Sequence, residues 1–568
     1  MAKNTQINQL KKLLALSSLA VAGAASAQQI PDAGSLLRET ERQRPQLPMP
    51  AQQAVPQTPI EQAKSDIQIT IKAFRFIGNL LVTDAELQQV LAGWIGKTAD
   101  FNDLQQAVDA VAEAYRSRGW FARTQLPAQD ISEGIITINI LEGKLGTVQI
   151  DNQGKALRIS PNFVTNSMTA RQKPGDPLDI DALDRSTNIL NDTPGLLVTT
   201  VLAPGQRDGE TDAIVKIQEK PLFSGVATFD NTGARSTGEN KLAVSTTIDS
   251  PFGVGEQFTL NGNKTQGSDY AKLAYAMPIG SDGLRAGVST SFMRYRLIGD
   301  LKSLNALGDA QTYGANVSYP LLRSGTRNLV LSLAVDRKDY YNEANKVASS
   351  EKQLHTGILS LSGDMLDGLG AGGLTLASLS LSGGHVDLSG NSTNQAADRS
   401  GPQTAGDFLK LGYSLARLQR IMDKLTLWAS LNGQVADKNL DSSEKMSLGG
   451  PGGVRAYPVL EGTGDDGVIT TIELRYNLLP ALQVTSFYDY GRIRQSHSAN
   501  YVGAPTTNSG SLSGYGLGLN YTFAGKFALR AVWARRDGDN PFANPINGLD
   551  ADGSLDRDRF WLTGTAFF

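Results

Sequence analysis

The pattern of apolar and polar residues between positions 221 and 568 is that of a long series of β-strands. In 425–435, for example, Leu425 and Leu427 fall on one face of an extended chain and Thr426 falls on the other. Side chains of a strand point alternately to its two faces, so each such segment predicts a strand with one apolar and one polar face. We count sixteen of these segments, and most reach the roughly 9–11 residues that a tilted membrane strand needs.

The connections between these segments alternate between short turns, such as 251–255 and 524–525, and longer loops. The longer loops are predicted at 296–309, 340–352, 388–405, 437–465, 495–509 and 538–557. A soluble sandwich would also show alternating strands, but short turns on one side and long loops on the other are typical of outer-membrane barrels. We therefore predict a membrane β-barrel of sixteen antiparallel strands over 221–568, in contact with outer-membrane lipid.

The first 65 residues are predicted to contain a targeting signal, a helix and a linker. Residues 1–27 combine lysines, a short apolar run and a small-residue end, which is the pattern of a secretory signal peptide. Residues 28–44 predict a short, mostly polar helix with Ser35 as its N-cap. The proline-rich stretch 45–65 predicts an extended linker. A disordered tail explains this region equally well.

Residues 66–145 and 146–220 predict two small α/β modules that share one plan. The first contains a strand that begins near 67, helices that begin near 83 and 101, and a closing strand at 135–141. The second repeats the order with strands near 146–150, 196–202 and 212–218 and two helices between them. Neither module contains a group of residues that suggests catalysis.

Short motifs in both modules resemble the POTRA domain. They are Phe76-Ile77-Gly78-Asn79, Tyr115-Arg116-Ser117-Arg118-Gly119-Trp120 and Leu141-Glu142-Gly143 in the first module, and Asn191-Asp192-Thr193-Pro194-Gly195 in the second. POTRA domains are periplasmic modules of outer-membrane translocases and insertases. The resemblance implies that they bind unfolded clients, by addition of a client strand to a sheet edge.

Composition excludes several classes of function. The chain has 53 Lys and Arg against 56 Asp and Glu, a net charge of −3, with no Cys and three His. It therefore has no broad basic surface for nucleic acid, no thiol nucleophile and no cysteine-ligated metal. The glycine-rich stretch 368–373 fits a dinucleotide motif by letter, but the residues after it predict a strand and not the required helix. We predict no nucleotide, metal or other cofactor.

The longest predicted loop, 437–465, carries Val454-Arg455-Ala456-Tyr457, and the second strand after it carries Phe487-Tyr488-Asp489-Tyr490-Gly491. The two motifs resemble the Val-Arg-Gly-Tyr and Phe-x-Asp-x-Gly motifs of the TpsB transporters of two-partner secretion. In that family the loop folds into the barrel and its arginine pairs with the aspartate. The resemblance implies that Arg455 and Asp489 form a latch between loop and barrel, supported by Val454, Tyr457, Phe487 and Gly491. Ala456 stands where the family usually has glycine. Because alanine reaches positive φ less easily than glycine, the resemblance does not predict the backbone conformation of the loop tip.

The resemblance covers nearly the whole chain after residue 27 and implies a function. The protein would carry a large, unfolded, TpsA-like exoprotein of the haemagglutinin or haemolysin type across the bacterial outer membrane. The POTRA modules would bind this client in the periplasm, and a helix that includes Leu36, Leu37 and Arg38 would plug the pore. No enzyme activity is expected.

Three alternatives stay open. An insertase that folds other barrels into the outer membrane shares both motifs. A barrel lipase or protease would need a Ser/His/Asp group, for which the three histidines give no evident partner. A passive porin would explain the barrel but neither the POTRA modules nor the loop motif.

Overall fold

The computed structural model describes residues 30–43 and 68–568. The predicted signal peptide, 1–27, and the predicted linker, 45–65, lie outside the described residues. Within the described part of the chain, no helix is long and apolar enough to cross a membrane.

The N-terminal helix α1 spans Ala33–Arg42 and begins three residues after Ile30. The prediction that Ser35 caps it is wrong. The N-cap is Asp32, whose carboxylate accepts a hydrogen bond from the Ser35 N–H at 2.9 Å, while the Ser35 hydroxyl accepts one from the Asp32 N–H at 3.1 Å. This reciprocal pair is a capping box, in which a serine at the third helical position completes the cap that an aspartate starts.

The first α/β module is built from a three-stranded sheet covered by helices. Its elements in chain order are β1 Ile69–Thr70, β2 Ala73–Ile77, α2 Asp84–Leu91, β3 Thr98–Ala99, α3 Phe101–Arg116, β4 Ala122–Gln125 and β5 Ile135–Glu142. Strand β5 lies in the centre of the sheet, parallel to β2 and antiparallel to β4. Residues at helical spacing on α3, including Leu104, Val108 and Val111, bury their side chains against the sheet.

The second module has the same design with β6 Lys144–Asp151, α4 Pro161–Met168, α5 Ile180–Asp192, β7 Leu196–Pro204 and β8 Glu210–Glu219, and β8 lies in the centre of its sheet. Backbone hydrogen bonds join it to the first module, among them Phe121 N–H to the Leu178 carbonyl at 3.1 Å. Two ion-pair clusters join it to the barrel. Asp282, in a short turn of the barrel, accepts hydrogen bonds from Arg171 and Arg185, and Arg323 forms a bidentate pair with Asp192.

Sixteen antiparallel strands then form one closed barrel, which confirms the predicted fold class. They are β9 Phe223–Asp230, β10 Lys241–Asp249, β11 Gln257–Lys264, β12 Ser268–Pro278, β13 Arg285–Arg296, β14 Leu307–Arg323, β15 Arg327–Ala344, β16 Val347–Asp367, β17 Gly373–Asp387, β18 Gly406–Met422, β19 Leu425–Ala436, β22 Asp466–Leu479, β23 Leu482–Arg494, β24 Ser509–Phe523, β25 Phe527–Arg536 and β26 Asp558–Phe567. The barrel closes where β26 pairs with β9, from Thr563 opposite Asp230 to Phe567 opposite Val226.

One predicted loop is absent. Residues 340–352 continue β15 and β16, and only Asn345 and Lys346 connect the two strands. Both residues have positive φ, 50° and 62°, as a two-residue type I′ turn requires, and asparagine is one of the residues that adopt this conformation most easily. The other predicted long loops lie at the end of the barrel opposite the short turns, as expected. One of them contains a helix, α6, at Ser392–Ser400.

The outward residues of the barrel are large and apolar, whereas the lumen is filled by α1 and by the loop 437–465. Leu260, Val335 and Leu415 are examples of side chains more than half exposed on the outer face. The loop itself contains a short hairpin of β20 Met446–Ser447 and β21 Thr463–Gly464. An apolar exterior and a filled interior are the arrangement expected of a barrel that faces lipid.

Candidate functional site

The loop between β19 and β22 folds back into the barrel and packs against its wall. Leu448, Val454 and Tyr457 are each 0% exposed. They belong to one apolar cluster with wall residues from β22 to β26, among them Phe487 and Trp561. The loop tip is therefore a buried part of the barrel interior, and its side chains can act on the shape of the lumen.

The structure brings Arg455 and Asp489 together in a buried ion pair. Asp489 is 0% exposed and accepts three hydrogen bonds from Arg455: from Nε at 2.9 Å, from Nη2 at 2.9 Å and from the backbone N–H at 3.1 Å. The guanidinium and the carboxylate form a bidentate pair, the strongest geometry available to these groups. The pair joins the loop tip to β23.

Two further residues complete the surroundings of Arg455, and the sequence motifs do not include either of them. Glu473, on the neighbouring strand β22, accepts a hydrogen bond from Arg455 Nη1 at 2.8 Å. The indole Nε1 of Trp561, on β26, donates to the Arg455 carbonyl at 2.8 Å. The arginine is thus held by three strands of the wall.

Phe487 and Gly491 contact the loop through a ring face and through close packing. The Phe487 ring lies under the Arg455 guanidinium, with the ring centre 3.3 Å from Cζ, which is a cation–π contact. A Cβ at Gly491 would lie 2.9 Å from a methyl of Leu448 and 3.1 Å from a methyl of Val454. The φ angle of Gly491 is not positive, so this position needs glycine for space and not for backbone freedom.

Ala456 fits the loop tip without strain. It is 1% exposed, and it is not among the described residues with positive φ. Its methyl group faces Gly514 on β24, where an added Cβ would come within 2.5 Å of it. The alanine in place of the family's glycine therefore fills space that a glycine on the facing strand leaves free.

Helix α1 lies in the lumen beside the loop. Ala33, Leu36 and Leu37 are at most 5% exposed and pack in one cluster with wall residues that include Met293 and Tyr340. Gly34 allows close approach to the loop, because a Cβ at this position would lie 2.8 Å from the Ser443 Cβ. The apolar face of the helix thus contacts the wall while its glycine contacts the loop.

Contacts of charged side chains hold both ends of α1. At the N-terminus, Lys352 on β16 bonds Asp32 at 3.0 Å and Asp441 of the loop at 2.8 Å. Burial of the Asp32 carboxylate opposes its charge, but Lys352 and hydrogen bonds from Ser442 and from the Ser35 N–H hold its pKa below the ordinary value.

At the C-terminus, Arg42 donates to the carbonyls of Ser447 and Gly449, at 3.3 and 3.2 Å. Basic side chains at this end of a helix also complement its dipole. Helix and loop therefore contact each other directly at both ends.

Arg38, in the middle of α1, differs from these residues. Both terminal nitrogens of its guanidinium are buried, and neither has a hydrogen-bond partner among the described residues. Burial lowers the pKa of this group to about 10, and the nearby Glu39 carboxylate opposes that shift. Leu36 and Leu37 stabilise the docked helix, whereas the buried guanidinium of Arg38 disfavours docking.

The family model described as "Haemolysin secretion/activation protein ShlB/FhaC/HecB" matches residues 209–521, more than half of the chain, and the model "POTRA domain, ShlB-type" matches residues 69–143. The chain belongs to the haemolysin secretion/activation family. Members of this TpsB group carry large exoproteins across the outer membrane, and their POTRA domains lie in the periplasm.

Individual relatives agree with this assignment. The chain is 28% identical over 555 residues to the heme/hemopexin transporter protein HuxB of Haemophilus influenzae, covering 94% of both proteins. It is 26% identical over 429 residues to the outer membrane transporter CdiB of Dickeya dadantii, covering 74% of both. Among solved structures, CdiB from Escherichia coli superposes with a TM-score of 0.70 at 19% identity, covering 100% of this chain and 98% of that one.

Proposed function

We propose that α1 is a removable plug of the export pore and that the loop 437–465 is held in its closed position by the Arg455–Asp489 latch. The POTRA modules bind the unfolded exoprotein in the periplasm, and the client passes through the lumen when α1 withdraws. The observation that carries the proposal is that α1 fills the lumen with side-chain contacts at each end and one small apolar face. Such contacts can be broken without unfolding the barrel.

The balance of contacts on α1 supports a reversible plug. Full burial of Leu36 and Leu37 contributes about 1.5–3 kcal/mol each. The buried, unpaired guanidinium of Arg38 opposes this by an amount of the same order. The helix therefore combines contacts that favour docking with a buried charge that opposes it, as a plug that must both close the pore and leave it requires.

The latch is a separate and stronger element. Arg455 and Asp489 are buried, and Glu473 and Trp561 supply further hydrogen bonds. Breaking a buried pair by removal of one partner costs about 3–5 kcal/mol. We infer that the loop stays seated in the lumen when α1 leaves and that it shapes the path of the client.

The insertase alternative rests on fold alone. BamA from Haemophilus ducreyi without its POTRA domains 1–3 superposes with a TM-score of 0.51 at 15% identity. Two POTRA modules and a helix docked in the lumen favour export. We further propose that the protein is not an enzyme and uses no nucleotide. Among the described residues, the nearest approach to a catalytic group is His385, 2.6 Å from Asp407, and no serine hydroxyl bonds a histidine.

The test is export of a co-expressed exoprotein of the haemagglutinin or haemolysin type by the unchanged protein and by Arg455→Ala. Barrel folding is checked by the shift in gel mobility on heating, and Arg557→Ala, an exposed arginine of another loop, is the matched control. We expect Arg455→Ala to lose export with a folded barrel and the control to keep it. Absence of export by the unchanged protein, with loss of other outer-membrane barrels on its depletion, would favour the insertase.

A further inference from the structure

Five lysines project into the lumen from one side of the barrel wall. They are Lys241 on β10, Lys272 on β12, Lys338 on β15, Lys352 on β16 and Lys410 on β18. Their side chains are between 4% and 18% exposed. Lysines at these positions are not needed to form the strands, since the inward face of a barrel accepts any polar residue.

Three of these lysines contact α1 or the residues that cap it, Asp32 and Gln43. Lys352 bonds Asp32 at 3.0 Å, and Lys272 lies 3.7 Å from Glu41. Lys241 donates to the side-chain carbonyl of Gln43 at 2.7 Å. Withdrawal of the helix removes all three of these contacts at once.

The others contact the loop. Lys338 and Lys410 both bond Glu444, at 2.8 and 2.7 Å, and Lys352 also bonds Asp441 at 2.8 Å. Every lysine of the row is therefore in contact with an oxygen of a segment that fills the lumen, and most of those oxygens belong to carboxylates.

We propose that the three lysines released by α1, namely Lys241, Lys272 and Lys352, form a binding surface of the open lumen for acidic segments of the unfolded client, while Lys338 and Lys410 stay paired with Glu444 of the seated loop. The inference rests on the proposed function, because it requires that α1 leaves and that a polypeptide takes its place. Carboxylates of the client then replace those of Asp32 and Glu41 on the same ammonium groups. The exchange keeps each cation paired, so entry of the client offsets the cost of removing the plug.

The chemistry of the row suits a passing chain better than a fixed ligand. Lysine is a compact charge on a flexible stem and sets no strict geometry, unlike the fork of arginine. In a lumen that contains water, each pair contributes on the order of 1 kcal/mol or less. Several weak contacts spaced along the wall hold an extended acidic segment without stopping its movement.

The test uses the full chain with the three lysines that α1 releases changed together, Lys241→Gln, Lys272→Gln and Lys352→Gln. The matched control carries Lys264→Gln, Lys302→Gln and Lys346→Gln, which remove the same charge from positions that are exposed outside the lumen. Each protein is given two forms of one exoprotein, unchanged and with the acidic residues of one segment replaced by their amides. Barrel folding is checked by heat-modifiability, and Lys272→Gln alone serves if the triple variant folds poorly.

We expect the luminal triple variant to export the unchanged client severalfold more slowly than the control and to export the amidated client at the control rate. The pore gives a second measurement that needs no client. With Leu36→Ser and Leu37→Ser added to loosen the plug, the reversal potential in a salt gradient should show anion preference that the luminal triple variant loses.

Equal export of both clients by the luminal and control variants, with unchanged ion preference, would overturn this proposal and leave the export function standing. Failure of the unchanged protein to export either client would overturn the export function and this proposal with it.

Discussion

Replacement of Asp489 by asparagine should release the loop tip from the barrel wall. Asp489 is fully buried, and both of its oxygens accept hydrogen bonds: one from Arg455 N–H and Nε, the other from Arg455 Nη2 and the Thr471 hydroxyl. An amide has nearly the same shape but no charge. Whichever way it is turned, its NH₂ group faces two donors.

The expected cost follows from these contacts. Loss of the partner of a buried charge is worth about 3–5 kcal/mol. Glu473 stays bonded to Arg455 at 2.8 Å, which places the effect towards the lower end of that range. Since each 1.4 kcal/mol is a factor of ten, the population of the open loop should rise on the order of 10² to 10³-fold.

The chain has no cysteine, so one introduced thiol reports on the loop without background. Ser447 is 2% exposed, and its hydroxyl has no hydrogen-bond partner among the described residues, which makes Ser447→Cys a conservative probe. Its rate of reaction with a water-soluble thiol reagent should rise by the stated factor in Asp489→Asn. The control is Asp556→Asn, an exposed aspartate of another loop, which should leave the rate unchanged. An increase below about threefold in a folded barrel would refute the latch.

Three further predictions use the same thiol. In Gly491→Ala the new methyl meets Leu448 at 2.9 Å, so labelling should rise by an amount that corresponds to about 1–3 kcal/mol, and an unchanged rate would mean that the loop moves aside freely. Ala456→Gly should raise the labelling rate by a factor that corresponds to about 1 kcal/mol, because it removes a buried methyl group and gives the released loop tip more backbone freedom. Slower labelling than in the unchanged loop would show instead that alanine is strained at this position. Burial raises the pKa of the Glu461 carboxyl to about 7, above its unfolded value, so its contribution to loop seating is complete at pH 4 and is lost as the pH rises through 7. Labelling, divided at each pH by the rate of an exposed cysteine that corrects for thiolate formation, should therefore increase between pH 5 and 8, and Glu461→Gln should abolish that corrected dependence. A corrected pH profile that survives the substitution would assign it to another group.

Strand periodicity predicted the barrel well because alternation is imposed on every residue by lipid on one side and the lumen on the other. The exception, 340–352, shows the limit of this signal. In this segment the outward side chains, such as Glu343 and Glu351, are polar, and the inward side chains include Lys352, which pairs with Asp32, so β15 and β16 continue without the apolar alternation that marks their other halves. The Asn345–Lys346 turn was the remaining sign of a tight hairpin.

The candidate site was only partly visible in the sequence. Arg455 and Asp489 stood in short motifs, whereas Glu473 and Trp561 contribute from other strands through contacts that depend on barrel register. The cap of α1 was misplaced because serine and aspartate are both strong N-caps, and the choice between them depends on where the helix can begin inside the lumen. Sequence spacing carries no information about that position.

The central claim, that α1 must leave the lumen for export, can be tested by tying the helix in place. Gly34→Cys and Ser443→Cys would put two Cβ atoms about 2.8 Å apart, so the helix needs to move away by only about 1 Å to reach the Cβ–Cβ distance of a disulfide. Export is then measured in cells with and without a reductant that reaches the outer membrane, beside each single cysteine variant. We predict that the oxidised double variant exports nothing, that reduction restores export, and that neither single variant blocks export, since the new Cβ of Gly34→Cys meets Ser443 and can only loosen the docked helix. Export by the oxidised double variant at the rate of the unchanged protein would contradict the account.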